Sequence, residues 1–460
     1  MNTLIRSISG IRGVVGTSLL PETVISYAAA FAQWCGGGPV VLGGDGRPHG
    51  QALMDIARGA LQCSGVHVLD LGVVPTPTVQ LVAEHSEARG GIAITASHNP
   101  AQWNGLKFLN ADGVFLNAED NAALFALADG GARPCAQWST VGGATRVEDV
   151  LQQHVDRVLA TSFLDLDAIR ARGFRVAVDA VNASGSVIVP LMLKQLGCDV
   201  IEVACDGSGV FPHTPEPLPQ NLTSLGDAVR EHEADFGIAV DPDADRLVLF
   251  NEIGEPFGEE YSITTAVHSV LSSMKKARGQ KIAVNLSTTR AVDDVAAEFG
   301  AEVLRTPVGE INVVQAMKAH DAVVGGEGSG GIILPAVHAG RDSLVGIALV
   351  LHALARFDGP ASAYRAQLPE YVIRKFKYGT EGLDTAALLA SAAEKYGSER
   401  VNTTDGVRID FAKGWVHLRT SNTEPIMRLI AEASTGEAAE ALAARVAGEI
   451  FGDGIEPLSH

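Results

Sequence analysis

Asp241, Asp243 and Asp245 alternate in the run Asp241-Pro242-Asp243-Ala244-Asp245-Arg246, directly after the apolar stretch Phe236–Val240. Three carboxylates at every second position of a loop can curl to offer oxygens to one hard divalent cation; without a cation they repel one another. A solvated acidic turn is the plainer alternative. An EF-hand, suggested by Glu252 at loop position twelve, fails on two counts. Its sixth position, where glycine normally turns the chain, holds Arg246, and both flanks (Phe236–Val240 and Leu247–Phe250) read as strands rather than helices.

Ser97-His98-Asn99-Pro100 follows a second apolar stretch, Ile92–Thr95. A serine at such a turn can be a nucleophile or a phosphate carrier with His98 beside it, or Ser97 and Asn99 can simply form a turn that Pro100 ends. Adjacency alone does not make a Ser–His pair, because neighbours on an extended turn point apart, and no GxSxG elbow is present. Gly325–Gly331 is a glycine-rich loop without the Lys-Ser/Thr of a P-loop or the Rossmann spacing. Glu327 and Ser329 stand among its glycines and suit hydrogen bonds to sugar hydroxyls; a flexible connector is the alternative. Arg419-Thr420-Ser421-Asn422-Thr423-Glu424-Pro425, with Arg428, gathers two guanidiniums, three hydroxyls and successive backbone amides around one turn. That set fits a dianionic phosphate better than an ordinary polar hairpin. Arg12 in Ser9-Gly10-Ile11-Arg12-Gly13 and Lys107 in Asn104-Gly105-Leu106-Lys107 are lone basic groups flanked by glycine, where backbone can approach a ligand.

These loops need elements to hold them. Three segments repeat one order of strand, helix, strand, Thr-Pro turn and strand. The first runs from Pro39–Leu42 through Val66–Leu71 and Thr76-Pro77 to Gly91–Thr95. The second runs from Arg175–Asp179 through Asp199–Val203 and Thr214-Pro215 to Phe236–Val240, and the third from Lys281–Asn285 through Glu302–Leu304 and Thr306-Pro307 to Ala322–Val324. Near-continuously apolar strands alternating with helices indicate parallel-type sheets covered on both faces. A fourth region, with two or three strands from Gly406 onward and terminal helices, reads as a small α+β unit. The fold class is therefore α/β: three related α/β domains with mixed sheets at residues 1–150, 151–253 and 254–368, plus a C-terminal α+β domain at 369–460. Ligands of open α/β sheets sit at the carboxyl ends of strands, so the strand-end loops are candidates to share one cleft.

Composition bounds the partners. The 460 residues are 46% hydrophobic and 19% charged, enough for packed cores. The net charge of −19 disfavours nucleic acid and anionic membrane surfaces, and it requires a local cationic site for any anionic substrate. The longest apolar run, Leu344–Ala355, is interrupted by His352 and falls short of the ~18 residues that span a bilayer. The first residues lack an apolar signal region, and five cysteines without CxxC spacing read as reduced thiols, so a cytoplasmic setting is expected.

Together the segments Thr95–Pro100 (TASHNP), Asp241–Arg246 (DPDADR), Gly326–Gly331 (GEGSGG) and Arg419–Pro425 (RTSNTEP) resemble, in order, the motifs of the α-D-phosphohexomutase superfamily. The resemblance extends from Ser9–Gly13 to Arg428. It implies a heart-shaped molecule of four domains around a central cleft, and a small phosphosugar substrate handled by a monomer or homodimer. Ser97 would carry a phosphoryl group that passes to the sugar phosphate, through a bound hexose 1,6-bisphosphate that turns end for end. Asp241, Asp243, Asp245 and a phosphoserine oxygen would hold Mg²⁺. His98 and Lys107 would serve proton transfer and cleft electrostatics, with Arg12 and Arg246 at the same centre. Thr306, Gly309, Glu327 and Ser329 would meet the sugar, and Arg419, Ser421, Asn422, Thr423 and Arg428 its non-reacting phosphate. The linker near residues 366–374 would be a hinge that closes the fourth domain.

Several positions depart from common forms of these motifs. Gly331 stands where many phosphomannomutase/phosphoglucomutases have the histidine of GEMSGH, Pro242 stands where DGD is usual, and Asn422 replaces the glycine of the SGTEP found in many phosphoglucosamine mutases. His338-Ala339-Gly340-Arg341-Asp342 is similar to a branch named for phosphoglucosamine, and Arg341 is expected to add a phosphate contact. The preferred reading is interconversion of glucosamine 6- and 1-phosphates, with mannose or glucose phosphates as alternative substrates. A serine-nucleophile phosphatase and a non-catalytic sugar-phosphate binder are the competing classes.

Overall fold

The computed structural model describes residues 4–131, 135–258, 260–420, 426–452 and 457–458. Gly90–Ile94, Phe236–Val240 and Val324–Glu327 are buried along their whole length, as runs of apolar residues and glycine (with Glu327 ending the third) must be when a sheet is covered on both faces. Each lies at the centre of the same four-strand arrangement. In the first unit the order is Trp103–Asn110, Gly90–Ile94, Val40–Gly44, Val68–Val73, extended at one edge by Gly10–Val14 and Ile5–Ser7 and at the other by Ala144–Arg146. In the second it is Leu247–Phe250, Phe236–Val240, Arg175–Asp179, Asp199–Ala204, and in the third Gly331–Ile333, Val324–Glu327, Lys281–Asn285, Glu302–Thr306. Within each set the last three strands run parallel. The first strand returns antiparallel as the second arm of a hairpin.

The shared order explains why chemistry recurs at equivalent places. Residues 95–102, 241–246 and 328–330 all join the central buried strand to its antiparallel return, so all three loops leave the carboxyl end of a strand. The returns Trp103–Asn110 and Gly331–Ile333 were not legible as strands, because tryptophan, asparagine, lysine and glycine interrupt the apolar pattern that marked their neighbours.

The second and third units share one continuous core. Its axis is the helix Ser343–Ala355, which holds the longest apolar run in the chain and is buried from Ser343 to Leu354 against the helix Glu260–Ser273. His352 interrupts that run without cost, since its Nδ1 accepts from the Asp165 amide at 3.1 Å and its Nε2 lies 2.9 Å from the Ser273 hydroxyl. Among the described residues no helix is long and apolar enough to cross a membrane.

The fourth sheet is antiparallel with five strands, in the order Val372–Gly379, Ile426–Ala433, Gly414–Thr420, Val407–Phe411, Arg400–Asn402, and two helices cover it. The expectation of two or three strands missed its first and last members. Val372–Gly379 pairs along its full length with Ile426–Ala433, so the last three residues of the expected hinge at 366–374 belong to the sheet. The preceding stretch is pinned by Tyr261, whose hydroxyl donates to the Pro369 carbonyl at 3.0 Å and accepts from the Tyr371 amide at 2.9 Å.

Candidate active site

The Ser97 turn is built around one arginine. Arg47, fully buried, donates from Nη2 to the carbonyls of Ser97 (2.6 Å) and Asn99 (2.9 Å), and from Nη1 to those of Pro100 (2.8 Å) and Trp103 (3.0 Å). Its Nε donates to Asp45 Oδ2 at 3.0 Å, so all five N–H groups are used. Asp45 also receives the Thr95 hydroxyl (2.7 Å), and Thr95 Oγ1 accepts the Ser97 amide (2.9 Å). This frame holds Ser97 in the left-handed region at φ 49°, a conformation that costs a non-glycine residue energy and persists only where neighbours impose it. Ser97 Oγ donates to Asp241 Oδ2 at 2.8 Å and lies 3.4 Å from His98 Nδ1.

The acidic loop is equally constrained. Its successive carbonyls at Pro242, Asp243 and Ala244 accept from the Ser184 hydroxyl (2.7 Å), the Thr76 amide (3.0 Å) and the Ser343 hydroxyl (2.7 Å), one donor from each of three units. Asp241, Asp243 and Asp245 are buried, with ligand oxygens within 4.8 Å of one another. Asp243 Oδ2 takes the Thr76 hydroxyl (2.7 Å) and Lys107 Nζ (2.6 Å), while Asp245 Oδ2 takes Arg341 Nη2 (2.6 Å) and Lys107 Nζ (3.3 Å). The other oxygen of each, Asp243 Oδ1 and Asp245 Oδ1, is buried with no hydrogen-bond partner. Burial, then the charges of Asp245 and Asp243, push Asp241 up to about 8. An all-oxygen set with two orphaned carboxylate oxygens and one carboxyl driven toward protonation fits a hard divalent cation, which would satisfy the orphans and remove the repulsion.

Above these carboxylates lies a cleft of about 700 Å³. Arg12, His98, Lys107 and Arg246 line its floor. Arg246 Nε is 3.9 Å from both Asp241 Oδ2 and Asp245 Oδ1, and Arg12 Nη1 donates to Asn99 Oδ1 at 3.2 Å. Burial pulls the Lys107 ammonium down, but Asp243 and Asp245 outweigh it and hold the group above its ordinary value. That keeps Lys107 a fixed cation rather than a proton acceptor. His98 differs: the charge of Arg246, then burial and Arg12, hold its imidazole well below the usual histidine range, so it is neutral at neutral pH.

Glu327, Ser329 and Gly309 form another part of the wall. Glu327 Oε1 accepts from Asn285 Nδ2 (2.8 Å) and the Gly309 amide (3.1 Å), and Oε2 from Arg341 Nη1 (2.7 Å). Thr306 is not on this wall; its hydroxyl turns back to the Pro307 carbonyl at 3.0 Å. Arg341, expected beside a phosphate, is instead taken up by carboxylates, since its Nε also donates to Glu310 at 3.0 Å.

The fourth unit adds Arg419 and Arg428, together with Lys375 and Lys377. Register places Lys377 opposite Arg428 and Arg428 opposite Arg419, a row of three cations across adjacent strands. Like charges set directly opposite are unfavourable, and a row of them at a cleft in a chain of net charge −19 suits an anionic ligand. Ser421, Asn422 and Thr423 lie outside the described residues.

Each of the four units matches a domain of one family. Residues 4–132 match the phosphoglucomutase/phosphomannomutase alpha/beta/alpha domain I, residues 152–254 domain II, residues 259–371 domain III and residues 379–449 the C-terminal domain of the same family. The chain belongs to the phosphoglucomutase/phosphomannomutase family. It is a phosphohexomutase, an isomerase. A probable phosphoglucosamine mutase of Methanopyrus kandleri is 35% identical over 94% of this chain and 95% of the relative. A phosphoglucomutase/phosphomannomutase of Thermococcus kodakarensis is also 35% identical, over 94% of each chain. Among solved structures, a phosphoglucomutase/phosphomannomutase family protein of Burkholderia thailandensis superposes with a TM-score of 0.85 at 27% identity, covering 98% of this chain and 100% of the other.

Several residues that shape this phosphohexomutase site had no role in the sequence reading. Asp45 and Arg47 stand in none of the motifs above, and Thr76 enters only as part of a turn. Lys375 and Lys377 went unseen because their strand was. The alternation of Lys375, Phe376, Lys377 and Tyr378 was the available signal. Away from the cleft, His154 Nε2 (2.8 Å) and His338 Nε2 (3.1 Å) both reach Asp342 Oδ2, while Thr78 Oγ1 lies 2.9 Å from His154 Nδ1. Asp342 Oδ1 caps the central helix through the Leu344 amide at 2.8 Å. These separations are those of direct hydrogen bonds, so the cluster is a buried tie between the first unit and the central helix.

Proposed function

We propose that this phosphohexomutase moves a phosphoryl group between Ser97 and the two ends of a hexose phosphate, and that its preferred pair is glucosamine 6-phosphate and glucosamine 1-phosphate. The observation that carries the mechanism is the contact of Ser97 Oγ with Asp241 beneath a cleft lined by Arg12, Lys107 and Arg246. In the first half-reaction the bond from phosphorus to Ser97 Oγ breaks and a bond to the free sugar hydroxyl oxygen forms, giving hexose 1,6-bisphosphate. His98, neutral beside Arg246, is suited to take the hydroxyl proton at Nδ1. After the intermediate turns, Ser97 Oγ receives the other phosphoryl and the proton returns to the departing sugar oxygen. Asp241, Asp243, Asp245 and an oxygen of phosphorylated Ser97 would hold Mg²⁺, which supplies charge neutralisation at the transferring group. Arg12 and Arg246 add fixed positive charge where negative charge spreads.

Glu327 and Ser329 would contact sugar hydroxyls, and Gly309 supports Glu327 through its amide. Arg419 and Arg428, with Lys377 in the same row, would grip the non-reacting phosphate, joined by Ser421, Asn422 and Thr423. Thr306 acts at most through the turn it begins. The division at 1–150, 151–253, 254–368 and 369–460 remains part of this reading, with closure of the fourth unit about residues 366–371.

The glucosamine preference rests on the His338–Asp342 run and on relatives bearing that name, and Glu216 and Glu260 on the cleft wall suit a cationic amino sugar. An equally identical relative named phosphoglucomutase/phosphomannomutase, together with Asn422, favours mannose and glucose phosphates as the second reading. Side-by-side kcat/KM values for the three hexose 1-phosphates decide between them. Ser97→Ala tests the mechanism: it is expected to abolish turnover of hexose 1-phosphate supplied with a trace of hexose 1,6-bisphosphate, and full activity would reject the assignment. Stoichiometric release of inorganic phosphate by the parent chain would instead indicate a phosphatase.

A further inference from the structure

Glu327 and Gly331 face each other across the hairpin that carries the sugar loop, so a side chain at 331 would emerge on the same face as Glu327. That space is already filled. A Cβ built at Gly331 would fall on top of Arg341 Cδ, 3.0 Å from its Cγ and 3.2 Å from its Nε. The stem of Arg341 runs where the third-motif side chain would stand, and its backbone bridges Ile333 in the same hairpin. From there the guanidinium divides its donors among three carboxylates from different places: Asp245 of the acidic loop at 2.6 Å, Glu327 of the sugar loop at 2.7 Å and Glu310 at 3.0 Å. Glu310 in turn accepts from Gln80 of the first unit at 3.0 Å.

We propose that Arg341 is a positioning residue that fixes Glu327 and ties it to Asp245, and that position 331 is glycine because this arginine occupies its side-chain space. The proposal rests on the reading of Glu327 as a sugar contact. A carboxylate offers about four acceptor sites. Asn285, Gly309 and Arg341 take three of those on Glu327, which leaves one directed acceptor for a single sugar hydroxyl. Arg341 thus sets both where that acceptor points and how far it stands from the acidic loop. Lysine is expected to substitute poorly, because a compact ammonium on a shorter reach does not match three carboxylates spread around a planar fork. Gly331 and Arg341 are thus coupled: the arginine comes from the following loop and fills the place of a side chain in the hairpin.

The test is a double-mutant cycle on Gly331→Ala and Arg341→Ala, with Arg341→Lys as a third variant. Kinetics of hexose 1-phosphate turnover and thermal midpoints are measured on the full chain. Gly331→Ala adds only a methyl group, yet it is expected to displace the arginine and lower kcat/KM about 100-fold, much of it as raised KM, as Arg341→Ala does directly. The double variant is expected to lose about the same factor as either single one, not their product of roughly 10,000-fold, and its thermal midpoint is expected to match that of Arg341→Ala rather than fall by the sum of the two losses. Arg341→Lys should recover less than about tenfold of the loss. Additive losses, or Gly331→Ala with parent-like KM and kcat, would overturn the proposal. If Gly331→Ala fails to fold, Arg341→Ala alone decides: a raised KM supports the proposal, and parent-like KM and kcat overturn it. A parent chain that turns over no hexose phosphate would sink the functional reading itself, whereas an active parent with an additive cycle sinks only this inference.

Discussion

Arg47 is where the account is most exposed, because a residue that touches neither metal loop nor sugar loop is given control over the reacting serine. Its five N–H groups meet five acceptors, four of them carbonyls between Ser97 and Trp103 and the fifth Asp45, and the ring of Phe211 from the second unit lies 4.8 Å from the guanidinium carbon. Arg47→Met strands Asp45, whose side chain is wholly buried and would keep only the Thr95 hydroxyl and the backbone amide at position 47. Breaking a buried ion pair from one side costs about 3–5 kcal/mol. Arg47→Lys keeps the charge but can reach at most three acceptors, so at least two are left bare at ~1–3 kcal/mol each, for a loss of at least about 2 kcal/mol. Turnover should fall further than stability implies, since a displacement of ~1 Å at Ser97 costs about 100-fold. Urea unfolding and steady-state kinetics on hexose 1-phosphate read the two effects. Adding Asp45→Asn to Arg47→Met removes the stranded charge, and it is expected to restore part of the stability and none of the turnover. If Arg47→Met stays within about 1 kcal/mol and about threefold of the parent, the reasoning is wrong.

Three further outcomes concern the metal loop and the Asp342 cluster. Thr76→Val removes the hydroxyl that orients Asp243, and should weaken Mg²⁺ binding measured by calorimetry by about 10–100-fold. EDTA is likewise expected to stop turnover and added Mg²⁺ to restore it; turnover indifferent to chelation would contradict the metal reading. Burial pushes the Asp342 carboxyl up, but the charges and hydrogen bonds of His154 and His338 outweigh it and hold the group well below the carboxylate range. Its contribution is therefore present above the unfolded value of about 4 and is lost as pH falls through the folded one. Asp342→Asn should destabilise the chain by roughly 1–3 kcal/mol at pH 7, through the hydrogen bonds that it takes from His154 and His338. The gap from the parent should close as pH drops below about 4 in thermal unfolding scans, and a gap independent of pH would refute it.

The loops that carry chemistry were legible because reactive residue types cluster at the ends of apolar runs. Asp241, Asp243 and Asp245 are neighbours in sequence, so the acidic set needed no tertiary knowledge. The threefold repeat was likewise readable in the order of its elements, and the three parallel strands of each sheet follow it, whereas the returns Trp103–Asn110 and Gly331–Ile333 lie outside it. Arg47 was hidden because four of its partners are backbone carbonyls 50 and more residues away, and main-chain acceptors leave no mark in the side-chain pattern. Arg341 was visible as a charge, but its carboxylate partners were not. Nothing in its neighbourhood announces that Asp245, Glu310 and Glu327 converge on it from separate loops. Lys377 was lost with its strand, whose exposed lysines and arginine obscured the apolar alternation that marks a sheet.

Turnover depends on Ser97 carrying the phosphoryl group that moves. The direct measurement is to incubate the protein and Mg²⁺ with radiolabelled hexose 1,6-bisphosphate, locate the label by peptide mass spectrometry, and then add unlabelled hexose 1-phosphate. One labelled phosphoryl per chain on the Ser97 peptide, leaving as bisphosphate on that addition, is the expected result. Label on another residue, or none in an enzyme that still interconverts its substrates, would contradict the account.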